Sequence, residues 1–127
     1  MSEIATEELS TRLGEVPVVD VRTRSEFTGS AGKPCDPRQG HIPGARNVEL
    51  SRLMQLSREE IQAALDLQPG DEVVAYCHSG SRSAIAMQML RGLGYEARNY
   101  VGSWHEWSRH DDLPIEREPG LLSEPGS

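Results

Sequence analysis

Two short runs of apolar residues interrupt an otherwise mixed chain: Val16-Pro17-Val18-Val19-Asp20-Val21 and Val73-Val74-Ala75-Tyr76. Both are rich in β-branched side chains and lack the polar/apolar alternation of a half-exposed sheet, so they predict strands covered on both faces. Pro17 has no N–H to donate and belongs at the first residue of its strand or on an unpaired side. Elsewhere the apolar positions follow helical spacing. Leu9 and Leu13 share one face of a helix over 6–13, with Thr6 in the capping position and Gly14 ending it. Ser57-Arg58-Glu59-Glu60 reads as a capping box ahead of an apolar face of Ile61, Ala64 and Leu65, and Gln68-Pro69-Gly70-Asp71 stops that helix. A further helix is expected over 83–92, with Ile85, Ala86, Met89, Leu90 and Leu93 as its inward stripe. Shorter signals predict strands over 46–48 and 97–101, a brief helix over 51–56 and a turn of helix at Glu26-Phe27. The Gly- and Pro-rich stretch after Phe27 reads as a long loop. Strand and helix alternate, which argues for an α/β domain with a mainly parallel sheet and helices on both faces.

Composition narrows the class. A chain of 127 residues suits one domain with one core; we expect that domain over 3–115 and a polar tail over 116–127. The formal net charge of -7 repels a polyanionic backbone, so nucleic acid is excluded as the default partner. A local basic pocket remains compatible with that charge, because Arg22, Arg24, Arg46 and Arg82 all lie near turns that can converge on a small anion. No apolar segment approaches the roughly 20 residues needed to cross a bilayer, and no secretory leader pattern opens the chain. The expectation is a soluble, cytoplasmic protein without membrane contact. Two cysteines, Cys35 and Cys77, do not make a disulfide framework and are read as free thiols.

The chemistry concentrates where the second strong strand ends. Cys77-His78-Ser79-Gly80-Ser81-Arg82 joins that strand to the helix expected from Ser83, the junction at which parallel α/β sheets gather their binding sites. Small residues let successive backbone N–H groups turn inward and cradle an anion. The same donors favour a thiolate over a thiol at Cys77. The competing reading is a buried cysteine that merely closes a strand. Arg82 either pairs with Asp20 or Glu26 to brace the loop or faces the incoming anion; bracing is the expectation. His78 either attracts an anionic substrate when cationic or points from the rim. Cys35 is expected to be an incidental surface thiol, with disulfide formation to Cys77 as the alternative. Neither Cys35 with His41 nor Cys77 with His78 has the spacing of paired zinc ligands, so no metal is expected.

Asp20-Val21-Arg22, Glu26-Phe27, Gly40-His41-Ile42-Pro43-Gly44-Ala45, Cys77-x-x-Gly80-x-Arg82 and Gly102-Ser103-Trp104, in this order, resemble the rhodanese family. The segment from Asn99 to Trp107 is similar to the end of the catalytic half of tandem-domain thiosulfate or 3-mercaptopyruvate sulfurtransferases. The resemblance implies a three-layer α/β/α domain around a mainly parallel five-stranded sheet.

It also implies a sulfurtransferase in which Cys77 takes a sulfur atom from a small anionic donor, holds it as a persulfide, and yields it to cyanide or a thiol. Arg82 joins Cys77 as a catalytic residue. His78, Ser79, Gly80, Ser81 and Ser83 are expected to bind substrate, and Asp20, Arg22, Glu26, His41 and Trp104 to give structural support. His41 would hold its turn by a side-chain hydrogen bond, and Trp104 would pack in the core or pocket wall. No cofactor is required. The loop places four residues between cysteine and arginine, whereas related phosphatase loops place five, so sulfur chemistry is favoured over phosphate. His78, Ser79 and Ser81 incline the donor towards thiosulfate. Two alternatives stay open: a persulfide carrier in a sulfur relay fed by a desulfurase, and a non-catalytic rhodanese-like interaction module.

Overall fold

A computed structural model of the chain describes residues 2–117. The expected polar tail lies outside the described residues from 118 onward. In chain order the elements are α1 (Thr6–Thr11), β1 (Val18–Asp20), α2 (Arg24–Thr28), β2 (Arg46–Asn47), α3 (Leu50–Leu53), α4 (Arg58–Leu65), β3 (Glu72–Tyr76), α5 (Ser81–Gly92), β4 (Glu96–Asn99) and α6 (Ser103–Trp107). The strands form one sheet in the order β2-β1-β3-β4, and all three pairings are parallel.

Because side chains alternate across a strand, the sheet divides the apolar residues into two layers. Val19, Val73, Ala75, Cys77 and Ala97 face a core shared with Leu53, Ile61, Leu65, Ala86, Met87 and Leu90 from α3, α4 and α5. Val18, Val74 and Tyr76 face the other core, with Leu9 from α1 and Trp104 and Trp107 from α6. This is the three-layer arrangement, with four strands among the described residues where five were expected. The missing position is the edge beside β4. There Glu3 pairs with Asn99 in an isolated parallel bridge, with Ile4 N–H donating to the Asn99 carbonyl and Asn99 N–H to that of Ser2. The chain then enters α1 at Ala5, too soon for a strand to extend.

Local chemistry explains most boundaries and corrects several expectations. Thr6 does not cap α1. Ala5 occupies the N-cap without a side-chain bond, and the buried Thr6 hydroxyl pairs instead with Tyr100 Oη and donates to Glu106. The helix stops at Thr11, before Gly14. The Ser57–Glu60 capping box is present on α4, and a second one, Thr23 with Glu26, starts α2. The inward face of α5 is Ser83, Ala86, Met87 and Leu90, spaced i, i+3, i+4, i+7. Ile85 falls outside that stripe and is 49% exposed, contrary to expectation.

One buried ion pair fixes the strand ends around the site. Both Asp20 and Arg22 are essentially inaccessible, with Arg22 Nη2 donating to Asp20 Oδ2 at 2.7 Å and to the Gly40 carbonyl at 2.6 Å. The guanidinium also lies over the rings of Tyr76 and Trp104, 5.6 and 5.0 Å from their centroids. Asn47 Nδ2 donates to the carbonyls of both Asp20 and Arg22. A cation so placed needs every partner it has, because an unpaired buried charge is strongly destabilising.

Candidate active site

β3 is flanked by β1 and β4, and its last residue, Tyr76, is followed directly by Cys77. The residue is recessed, 1% exposed, and its sulfur sits inside the turn that leads to α5. Gly80 N–H donates to Sγ at 3.1 Å, and Ser83 donates twice, from N–H and from Oγ–H, each at 3.4 Å. Burial pushes the Cys77 thiol up, but these bonds from Ser83 and Gly80, with Ser79 N–H, more than offset it and hold the group below the ordinary thiol range. A sulfur so surrounded is stabilised as an anion.

Gly80 makes the turn possible. Its φ is +97°, and a Cβ there would lie 2.8 Å from the Val101 carbonyl oxygen, so backbone conformation and space both demand glycine. Gly80 is also the N-cap of α5, which therefore begins two residues before the expected Ser83. Ser83 itself is fully buried behind the sulfur. Its bonds go to Cys77 Sγ, whereas the sequence suggested a position facing substrate.

The loop is buttressed from α6 and the end of β4, and of these residues only Trp104 has a role expected from the sequence. Cys77 N–H donates to Ser103 Oγ at 3.1 Å, and Ser103 Oγ–H donates to the Tyr100 carbonyl at 2.8 Å. Trp104 N–H and His105 N–H then donate to the carbonyls of Cys77 and His78, each at 2.9 Å. Asn99 Nδ2 donates to the Gly80 carbonyl at 3.1 Å. Thus the start of α6 and the end of β4 tie down the backbone on which the sulfur is carried. In the sequence this region was marked by the Gly102-Ser103-Trp104 motif and by the resemblance of the segment from Asn99 to Trp107, neither of which assigned these bonds.

Arg82 is half-buried and pairs with Glu26 Oε1 at 3.3 Å; Asp20 is engaged by Arg22. The same Glu26 oxygen accepts Thr23 N–H at 3.0 Å, so the α2 capping box and the loop brace share one carboxylate. Burial pushes the Glu26 carboxyl up, but the Thr23 bonds and the Arg82 guanidinium bring it below the usual range. Two of the arginines that could have converged on an anion point elsewhere. Arg22 is turned into the core, and Arg46 pairs with Asp66 at 3.7 Å.

His41 Nδ1 lies 2.7 Å from the Phe27 carbonyl oxygen, its ring is stacked 3.7 Å from that of Phe27, and Nε2 is 3.4 Å from Glu116. Glu116 pairs with His41 through the backbone as well. Trp104 is buried, and its indole N–H donates to the Arg38 carbonyl at 3.0 Å. Of the remaining loop residues, Ser79 and Ser81 are exposed, while His78 Nε2 lies 3.0 Å from Asp36 Oδ2. Cys35 is an exposed free thiol.

This combination of a parallel three-layer sheet, a cysteine in a donor-lined turn and a buttressing α6 defines a rhodanese-like domain. The profile of the rhodanese-like domain family matches residues 5–110, and the chain belongs to that family. It is similar to a thiosulfate sulfurtransferase of Pseudomonas aeruginosa, 35% identical over 121 residues, covering 87% of this chain and 44% of the relative. A thiosulfate sulfurtransferase of Corynebacterium glutamicum is 40% identical over 120 residues, covering 84% of this chain and 40% of its own. Among solved structures, a probable thiosulfate sulfurtransferase superposes with a TM-score of 0.77 at 46% identity, covering 90% of this chain and 47% of that one. The chain therefore spans less than half the length of the relatives it matches. No helix among the described residues is long and apolar enough to cross a membrane.

Proposed function

We propose that this domain is a sulfurtransferase unit that carries sulfur on Cys77, with thiosulfate as the donor. The observation that carries this reading is the set of three hydrogen bonds converging on Cys77 Sγ from Gly80 and Ser83. The Cys77 thiolate attacks the outer sulfur of thiosulfate, the bond between the two donor sulfurs breaks, and sulfite leaves with the electron pair. Cys77 is left as a persulfide anion. Cyanide or a thiolate then attacks the terminal sulfur, forming thiocyanate or a new persulfide and returning the Cys77 thiolate. Covalent catalysis of this kind divides one transfer into two steps, and preorganised donors stabilise the anion in each.

In this mechanism Arg82 positions the loop through Glu26, while the exposed Ser79 and Ser81 border the mouth through which donor and acceptor approach. His78 through Arg82 supply the backbone that meets the anion. Asp20, Arg22, His41 and Trp104 hold the surrounding frame, and neither step needs a cofactor. Chemistry that requires a free thiol suits a reducing, cytoplasmic compartment.

Mixing the reduced protein with thiosulfate and weighing it intact tests the proposal. One added sulfur atom, removed again by cyanide and missing in Cys77→Ser, is the expected result. A folded protein with an alkylatable Cys77 that gains no sulfur would overturn the thiosulfate reading. Loading only from a cysteine desulfurase would assign the domain to a sulfur relay.

A further inference from the structure

A second set of chemically active side chains lies beside the loop, drawn from three separate segments. Cys35 and Asp36 come from the Gly- and Pro-rich stretch after α2, His78 from the catalytic loop and His105 from α6. One donor atom from each lies within 4.8 Å of all the others. The Asp36 side chain is 1% exposed, an uncommon position for a carboxylate. Its Oδ1 accepts from Arg109 Nη1 at 3.1 Å and from the Cys35 thiol at 3.8 Å, and lies 3.4 Å from His105 Nδ1. Its Oδ2 is 3.0 Å from His78 Nε2, yet the two atoms are not aligned for a hydrogen bond. Both are buried without a hydrogen-bond partner.

We propose that Cys35, Asp36, His78 and His105 form a binding site for a zinc ion. Buried polar atoms are ordinarily satisfied, and a shared cation satisfies Asp36 Oδ2 and His78 Nε2 together. Four donors of the types S, O, N and N are the number and kind that tetrahedral zinc takes. Neighbouring N and O ligands at zinc's bond lengths stand roughly 3.3 Å apart, close to the 3.0 Å between Asp36 Oδ2 and His78 Nε2.

Charge agrees with this. With Cys35 ionised, the thiolate and the Asp36 carboxylate outweigh the single Arg109 cation, leaving a net negative site for a divalent ion. Binding releases the Cys35 thiol proton to solvent as the S–Zn bond forms. Sequence spacing hides the site because its ligands come from three segments far apart along the chain, whereas the pairings it suggests, Cys35 with His41 and Cys77 with His78, are not those the fold assembles. Occupied, the ion links the loop after α2, the catalytic loop and α6, without using Cys77.

The test uses the reduced full chain after treatment with a chelator. Titrating zinc against a chromogenic zinc chelator is expected to give one site per chain. Cobalt(II) in its place is expected to show the intense visible bands of four-coordinate cobalt and a near-ultraviolet thiolate-to-cobalt band. Cys35→Ser should remove the near-ultraviolet band. Asp36→Asn and His105→Gln should each weaken binding by about tenfold or more, since even outer partners of metal ligands are worth that much. Cys77→Ser should keep both band and affinity. The exposed Cys35 and His105 carry the test if the buried Asp36 variant fails to fold. Loss of the thiolate band in Cys77→Ser, undiminished affinity in both Cys35→Ser and His105→Gln, or no one-to-one binding by the parent chain would each overturn the site.

Discussion

Ser103, which itself sits at φ +54° in the left-handed region, accepts the backbone N–H of Cys77 on its Oγ at 3.1 Å. For a residue other than glycine that conformation costs about 1–2 kcal/mol, and here the hydroxyl is where it must be to meet Cys77. Ser103→Ala keeps the strain and loses the acceptor, leaving a buried N–H unpaired at a cost of about 1–3 kcal/mol. Ser103→Gly loses the acceptor but relieves the strain. Urea denaturation is therefore expected to find Ser103→Ala the less stable of the two, by about 1 kcal/mol.

Cys77 reactivity should depend on Ser83. The Cys77 thiol is held below the ordinary range, against its burial, largely by Ser83 and Gly80. In chelator-treated protein its alkylation by iodoacetamide should persist below the pH at which a free cysteine reacts, and fall only as pH drops through the lowered value. Ser83→Ala removes one donor, so the profile should move to higher pH. An unchanged profile would assign the lowering to the backbone alone.

Gly80→Ala places a methyl group 2.8 Å from the Val101 carbonyl at a φ of +97°. The loop has to distort, with a loss of about 1–3 kcal/mol in stability. Sulfur loading measured by intact mass should fall well beyond what that loss alone predicts, because the Gly80 N–H is itself a donor to the sulfur.

Arg22→Ala or Asp20→Ala leaves one charge buried and unpaired, a change worth about 3–5 kcal/mol. The double variant should cost clearly less than the two single costs added, since each removes the same interaction. Simple additivity in thermal or urea unfolding would contradict the pairing.

The α5 stripe gives the plainest comparison of pattern with fold. Ile85→Ala should change stability by no more than about 0.5 kcal/mol, whereas Met87→Ala should cost about 2 kcal/mol or more. Ile85 read as buried because Ile85 and Met89 also lie four residues apart. What sets the true face is Ser83, which is buried by its bonds to a sulfur atom, a reason that hydrophobicity does not encode.

Other differences between sequence and structure share this origin. β1, β3 and the Cys77 turn were legible because each is written in consecutive residues: β-branched runs, then small residues between Cys77 and Arg82. The Thr23–Glu26 capping box follows the same Ser/Thr-x-x-Glu pattern as Ser57–Glu60, but no long apolar helical face follows it to mark a helix. The bonding roles of Asn99, Ser103 and Asp36 were not legible. Their importance comes from carbonyls and side chains brought to them by the parallel sheet and the placement of α6. The expected fifth strand reduces to a bridge at Glu3 for a similar reason: turning into α1 at Ala5 outweighs one more residue of pairing.

The position of Cys77 at the end of β3 also bears on how long a bound sulfur lasts. Local opening begins where structure is thinnest, and here that is the two-residue β2 at the sheet edge, whereas β3 is paired on both sides. The Cys77 amide is sealed by Ser103 and its carbonyl by Trp104, so its hydrogen exchange should be among the slowest in the domain. On the proposed function, a persulfide stored there would be shielded from stray oxidants and thiols by slowly opening backbone, and its lifetime would be set by the acceptors that reach the loop mouth.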